Sequence, residues 1–128
     1  KGSVPTLIHP SANVSKYAQL GRGVVVHMNT VVHPDVTVGD NTVLSYNVSV
    51  THSTHIGKNC YLAFGVMLGA YTIVEDFVFI GIGAIVISGK VDSIGTFASV
   101  GAGAVVTKSV ASYECVAGNP AKFIKTLK

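Results

Sequence analysis

From Ile8 to Val86 every sixth residue of this chain is aliphatic: Ile8, Val14, Leu20, Val26, Val32, Val38, Leu44, Val50, Ile56, Leu62, Leu68, Val74, Ile80 and Val86. After a slip of two residues the ladder resumes at Ile94, Val100 and Val106. A period of six fits neither the roughly 3.6 of a helix nor the alternation of a single strand, so the pattern is an internal repeat and the fold is a stack of one small unit. The position two before each rung is small or β-branched, as in Thr30, Val36, Thr42, Val48, Thr54, Cys60, Val66 and Ala84. Each unit thus turns two residues inward. Between rungs lies turn chemistry in matching phase: Gly21-Arg22-Gly23, His33-Pro34-Asp35, Gly39-Asp40-Asn41 and Gly57-Lys58-Asn59. Gly and Asn tolerate positive φ and Pro presets φ for a turn, so each unit reads as a short strand ended by a corner.

Three such strands close a triangular coil of 18 residues, giving coils at 8–25, 26–43, 44–61, 62–79 and 80–99 and a partial sixth. Stacked coils pair as parallel strands, with their hydrogen bonds running between coils. Residues 1–7 are a lead-in, His9-Pro10-Ser11 the first corner, and Ser88–Ser93 a loop pushed out of a later one. Past Val106 the rungs stop and the chain leads into an extended stretch around Tyr113–Ala117. Asn119 then stands as a helix N-cap with Pro120 as first helical residue, and Phe123, Ile124 and Leu127 have apolar helical spacing, which predicts a short C-terminal helix covering the open end of the prism.

With 128 residues, 48% of them hydrophobic, the chain is expected to form one all-β domain with ample core. Only 12% of residues are charged, yet no uncharged apolar run is long enough to span a membrane, and residues 1–7 lack a signal-peptide pattern; a cytoplasmic setting is the expectation. Cys60 occupies an inward rung and Cys115 has no partner motif, so both read as structural thiols. The net charge of +3 includes Lys108, Lys122, Lys125 and Lys128 near the C-terminus. That suits a phosphate-bearing small ligand and excludes the dense basic stripe of a nucleic-acid binder.

Counting by 18 places Val25, Val43, Tyr61, Phe79 and Phe97 in one outward column, and Val31, Met67 and Ile85 in another with Ser49. Apolar columns facing outward mark an interface, and a closed cyclic oligomer covers them economically.

These features resemble the left-handed parallel β-helix of the hexapeptide-repeat acyltransferases over about residues 7–124. Left-handedness is what the resemblance implies, since crossovers between parallel strands are right-handed in about 98% of cases. The resemblance also implies a trimer. Within the family, Thr51-His52-Ser53-Thr54-His55-Ile56-Gly57, Ala63–Ala70 and Ile80–Ala84 look like the segment of the amino-sugar N-acetyltransferases and the sialic-acid O-acetyltransferase-like proteins. There a histidine matching His52 is the general base, and an amide matching that of Ala70, one coil above, lies near the thioester. An imidazole suits proton removal from an attacking amine near neutral pH, and fixed N–H donors suit the anionic intermediate. His9, His27, His33 and His55 read as corner or solvated histidines.

Two positions depart from the family pattern. Ser53 stands where an acidic residue often orients the base, and Tyr61 where a second histidine touches the cofactor. Asp35, one coil below Ser53, is the candidate substitute for the missing acid. Gly81-Ile82-Gly83-Ala84 and Gly101-Ala102-Gly103-Ala104 resemble the small-residue lane of the pantetheine arm. Val116–Lys122 resembles the C-terminal signature near the adenosine end, with Pro120 inside it and Lys122 and Lys108 facing phosphates. The resemblance thus implies catalytic residues His52 and Asp35, and coenzyme A contacts at Tyr61, Ala70, Ile82, Gly83, Ala84, Gly101, Ala102, Lys108, Pro120 and Lys122, with no metal. The expected activity is acetyl-CoA-dependent N-acetylation of a nucleotide-linked amino sugar for surface glycans, and sugar O-acetylation is the runner-up. The small nucleotide-sugar domain that usually precedes the stretch resembling His9-Pro10-Ser11-Ala12 is expected to be absent.

Two other classes fit less well. A zinc hydratase like the γ-class carbonic anhydrases needs two histidines five apart, whereas His27 and His33 are six apart and His52 and His55 three. A non-catalytic scaffold or ice-binding surface needs outward threonine ladders, and threonine here is mostly inward.

Overall fold

A computed structural model describes residues 4–128, so part of the lead-in, residues 1–3, lies outside the described residues. The expected prism is present, an all-β parallel solenoid of about 6 turns. Strands of two residues recur at the rung phase and assemble into three sheets, of 8, 6 and 5 strands. The first face stacks Leu7–Ile8, Val25–Val26, Val43–Leu44, Tyr61–Leu62, Phe79–Ile80 and Ser99–Val100; the second runs from Asn13–Val14 to Val105–Val106, and the third from Gln19–Leu20 to Ser93–Ile94. Pairing between coils is parallel, with Leu62 opposite Leu44 and Ile80, as an 18-residue coil requires.

The corners follow from residue type. Asn29, Asn47, Asp35, Ser53, Asn41 and Asn59 all have φ between 57° and 62°. This is the left-handed region that Asn and Asp enter more readily than other non-glycine residues. Side chains one coil away hold the corner amides: Arg22 N–H and Lys58 N–H donate to Asp40 and Asp76 Oδ1, at 2.9 and 2.8 Å.

Inward positions form a single core in which Leu44, Leu62, Leu68 and Ile80 are at most 1% exposed. The inward threonines use their hydroxyls on corner carbonyls: Thr30 to Ser45 O at 2.6 Å, Thr42 to Gly57 O at 2.7 Å, and Thr54 to Gly69 O at 2.9 Å. Burying a hydroxyl without a partner is costly, and among the described residues no buried side-chain polar atom lacks one. Cys60 joins this core, its thiol donating to Glu75 O at 3.0 Å, and burial raises its pKa above the ordinary thiol value. Truncating Val50, Ile56 or Leu62 to Ala should cost about 2–5 kcal/mol in chemical denaturation. A cost near that of surface substitutions at all three, below about 0.5 kcal/mol, would contradict the inward phase.

Close approach of coils fixes several glycines sterically, Gly69 among them. A Cβ on Gly69 would lie 2.5 Å from Ser88 N and 2.6 Å from Val86 O, both backbone atoms. Gly69→Val should therefore force coils apart beside the His52 corner and abolish cooperative folding at ordinary temperature, read by circular dichroism.

Three expectations need correction. The C-terminal helix is not formed: Lys122–Thr126 is a strand antiparallel to Glu114–Ala117, after a cis Asn119–Pro120 bond. Glu114–Ala117 extends the first face and would otherwise end it with unpaired backbone groups, whereas a helix of one or two turns makes few hydrogen bonds for its nucleation cost. Phe97 is not in the Tyr61–Phe79 column. The two-residue slip pairs Phe79 with Ser99 and leaves Phe97 at a corner, stacked between Phe77 and Tyr113 with ring centroids 4.8 and 5.2 Å apart. The repeat also outlasts Val106, since Val110 bridges Ile94 and Val116 pairs with Val100. Ala84 is buried in the core.

Candidate active site

His52 sits at the corner between the second and third faces, in the turn after Ser49–Val50, and its ring is exposed. The corner geometry aims it outward: Ser53, at φ 61°, takes the left-handed position, and its N–H donates to Pro34 O in the coil below at 3.2 Å. Nδ1 of His52 is 3.2 Å from Ser53 Oγ. With Nδ1 engaged, Nε2 is the nitrogen left for an incoming group. The hydrogen bond at the imidazole is therefore to Ser53 and not to Asp35, which is exposed one coil below with its N–H on Tyr17 O at 3.1 Å.

In the coil above, Ala70 is buried and its N–H donates to Ser88 Oγ at 2.8 Å. That amide is thus engaged by a hydroxyl which, by accepting, keeps its own proton to donate. Tyr71, beside it, meets His52 edge to face, with ring centroids 5.4 Å apart and planes at 90°. Neither Ser88 nor Tyr71 stood out in the sequence, yet both follow from counting 18 on from Ala70 and Ser53.

The remaining expected ligand residues form two groups. Tyr61 and Ile82 line an apolar groove of about 440 Å³ with Tyr46, Phe64 and Phe79, in which Tyr61 and Phe79 stack 5.9 Å apart. Gly83 and Ala102 are exposed on the same corner line as Ile82, and a Cβ on Gly83 would meet nothing within 4 Å. Gly101 is tighter, its notional Cβ 3.0 Å from that of Ala117. Lys108, Pro120 and Lys122 come together at the C-terminal end in a cleft of about 670 Å³, closed by the hairpin that replaces the expected helix. Two ammonium groups at one cleft suit a phosphate-bearing ligand, although Glu114 also lines it. Among the described residues no group of three or more His, Cys, Asp or Glu side chains is placed to hold a metal ion. No helix among them is long and apolar enough to cross a membrane.

The repeated short strands of this solenoid are shared with known proteins. The family described as bacterial transferase hexapeptide (six repeats) matches residues 17–52, and hexapeptide repeat of succinyl-transferase matches 35–70. Residues 17–70 thus carry hexapeptide repeats, within the parallel solenoid described above. More particularly, the chain is similar to PerB from Caulobacter crescentus, solved with CoA and GDP-perosamine, at 35% identity and a TM-score of 0.93 over 96% of this chain. It is similar also to the acetyltransferase domain of PglB from Neisseria gonorrhoeae, solved with acetyl coenzyme A, at 31% identity and a TM-score of 0.92 over 95% of this chain. WeeI from Acinetobacter baumannii is 30% identical, with a TM-score of 0.88 over 91% of this chain. The chain spans 58% of the length of the first two and 57% of the third. A comparison with curated protein sequences gave no match.

Proposed function

We propose that this protein is an acetyl-CoA-dependent acetyltransferase that N-acetylates a nucleotide-linked amino sugar, with His52 as general base. The observation that carries this reading is the His52 corner, an exposed imidazole whose Nδ1 is held by Ser53 and whose Nε2 is free. Support comes from the ligands of the similar solved structures, CoA with GDP-perosamine in one and acetyl coenzyme A in another.

In this mechanism the acceptor amine gives a proton to Nε2 as its nitrogen bonds to the thioester carbonyl carbon. The resulting oxyanion is met by a fixed donor, for which the Ser88 hydroxyl, held in place by the Ala70 amide, is the candidate. Collapse breaks the carbon–sulfur bond, and the imidazolium returns its proton to the departing thiolate. The pantetheine arm follows Ile82, Gly83, Gly101 and Ala102, while Lys108 and Lys122 meet phosphates. Tyr61 borders the apolar groove and stands where a histidine is replaced, and Asp35 influences His52 through the field of its carboxylate, without a hydrogen bond.

The same reading makes the protein a trimer and places it in the cytoplasm, in surface-glycan synthesis. Outward residues on two faces are mostly apolar, Val25, Val43, Tyr61 and Phe79 on the first and Val31, Met67 and Ile85 on the second. The third face carries Gln19, Thr37, His55 and Ser93, more suited to water, with Ile73 as an apolar outward residue among them. The functional test is thiol release from acetyl-CoA with GDP-, UDP- and dTDP-linked amino sugars beside their hydroxyl counterparts. N-acetylation predicts turnover with an amino sugar only. Turnover with the hydroxyl sugars alone would replace it by O-acetylation, and none with either would remove the reading.

A further inference from the structure

Tyr71 stands apart from most corner residues of the prism. It is a bulky residue in the left-handed region, with φ 61°, where most corners place Asn, Asp, Ser or Gly. It is also 70% exposed, so burial does not offset that strain. The other large aromatics with this backbone, Phe77, Phe97 and Tyr113, are accounted for by stacking on one another. Tyr71 has no such ladder, for the next residue in its column is Gly89, whose notional Cβ meets nothing within 4 Å. Its ring turns the opposite way, onto His52. Strain kept at an exposed position and directed at one neighbour points to function.

The need for such a neighbour is visible at His52. An exposed imidazole held only by a hydroxyl at 3.2 Å is free to swing about χ2, because terminal ring torsions have broad wells. An acidic partner would hold it by charge, and Ser53 does not. We infer that Tyr71 is a positioning residue for His52: its ring, edge to face against the imidazole, keeps Nδ1 on Ser53 and Nε2 toward the acceptor. The inference rests on His52 being the base. It assigns the orienting role to a steric, aromatic contact in the coil above, and it requires the ring of Tyr71, not its hydroxyl.

The test uses Tyr71→Asn, which suits the left-handed corner, and Tyr71→Phe, which keeps the ring. Tyr71→Asn should fold with an unchanged or higher Tm while losing about 10-fold to 100-fold in kcat, the loss expected when a catalytic group is misplaced. The KM values for acetyl-CoA and acceptor should stay within about twofold. Tyr71→Phe should restore wild-type kcat, and Tyr71→Asn should have no further effect once His52 is Ala, since residues acting through one another are not additive. Nitrogen NMR of His52 should show one tautomer in the wild type and a mixture in Tyr71→Asn. A wild-type kcat in Tyr71→Asn would overturn the assignment, as would a rise in acceptor KM alone, which would make Tyr71 a wall of the acceptor site. Those failures leave the base reading standing if His52→Ala is inactive; a fully active His52→Ala removes both.

Discussion

His52→Ala should turn over about 10² to 10⁴ times more slowly than the wild type, with acetyl-CoA affinity and assembly nearly unchanged. The size follows from the chemistry: a nucleotide-linked amine attacking a thioester has to lose a proton, and without a positioned base that proton goes to water. The split between kcat and binding follows from the structure. His52 is exposed on a corner whose backbone is held by Ser53 N–H to Pro34 O and Thr51 N–H to Leu68 O, so removing the imidazole leaves the coil intact. His9, His27 and His33 stand on other corners or coils, His9 tied to Ser11 Oγ at 2.9 Å and His27 packed on Tyr46 at 4.8 Å, and their substitution should change kcat by less than about twofold. An equal loss at His27 would move the base to another corner.

Phe79→Glu should have the second large effect. Phe79 lies outward on the first face, 45% exposed, stacked on Tyr61 and bordering the same groove as Phe64 and Ile82. In an isolated prism such a change is a surface substitution and costs about 0.5 kcal/mol or less. In a trimer packed through this face it buries a carboxylate against apolar rings, a penalty of several kcal/mol per subunit interface. Light scattering should show the wild type at three times the mass of the chain and Phe79→Glu as monomer, with activity lost together with assembly. Glu placed at Thr37, on the polar third face, should leave the trimer intact. A wild type that is monomeric at micromolar concentration, or a fully active Phe79→Glu trimer, would contradict burial of this face.

The coils were legible because the six-residue period leaves no other fold that buries Leu44, Leu62 and Ile80 together. The corners were legible because Asn29, Asn41 and Asn47 advertise positive φ. The sequence misled where its count crossed an insertion: 18 added to Phe79 lands on Phe97, but the coil containing Ser88–Ser93 is longer, and Ser99 takes the place. The C-terminal hairpin was hidden because Asn119-Pro120 fits both a helix start and a tight reversal. Only the unpaired edge of Glu114–Ala117, invisible from local spacing, decides between them. At the site, His52 and Ala70 could be singled out from the sequence, whereas Tyr71 and Ser88 did not stand out until the coils were stacked. Tyr71 and Ser88 lie 19 and 36 residues away along the chain and reach the corner only through stacking.

The most direct measurement on the central claim is calorimetric titration of the intact protein with acetyl-CoA. One molecule should bind per chain, with a Kd between about 1 μM and 1 mM, the range common for enzyme substrates. Lys108→Ala and Lys122→Ala should each weaken binding several-fold and reduce its dependence on salt, because both ammonium groups line the cleft that would take the phosphates. Absence of binding by the assembled wild-type protein, or binding indifferent to both lysines and to salt, would contradict the account.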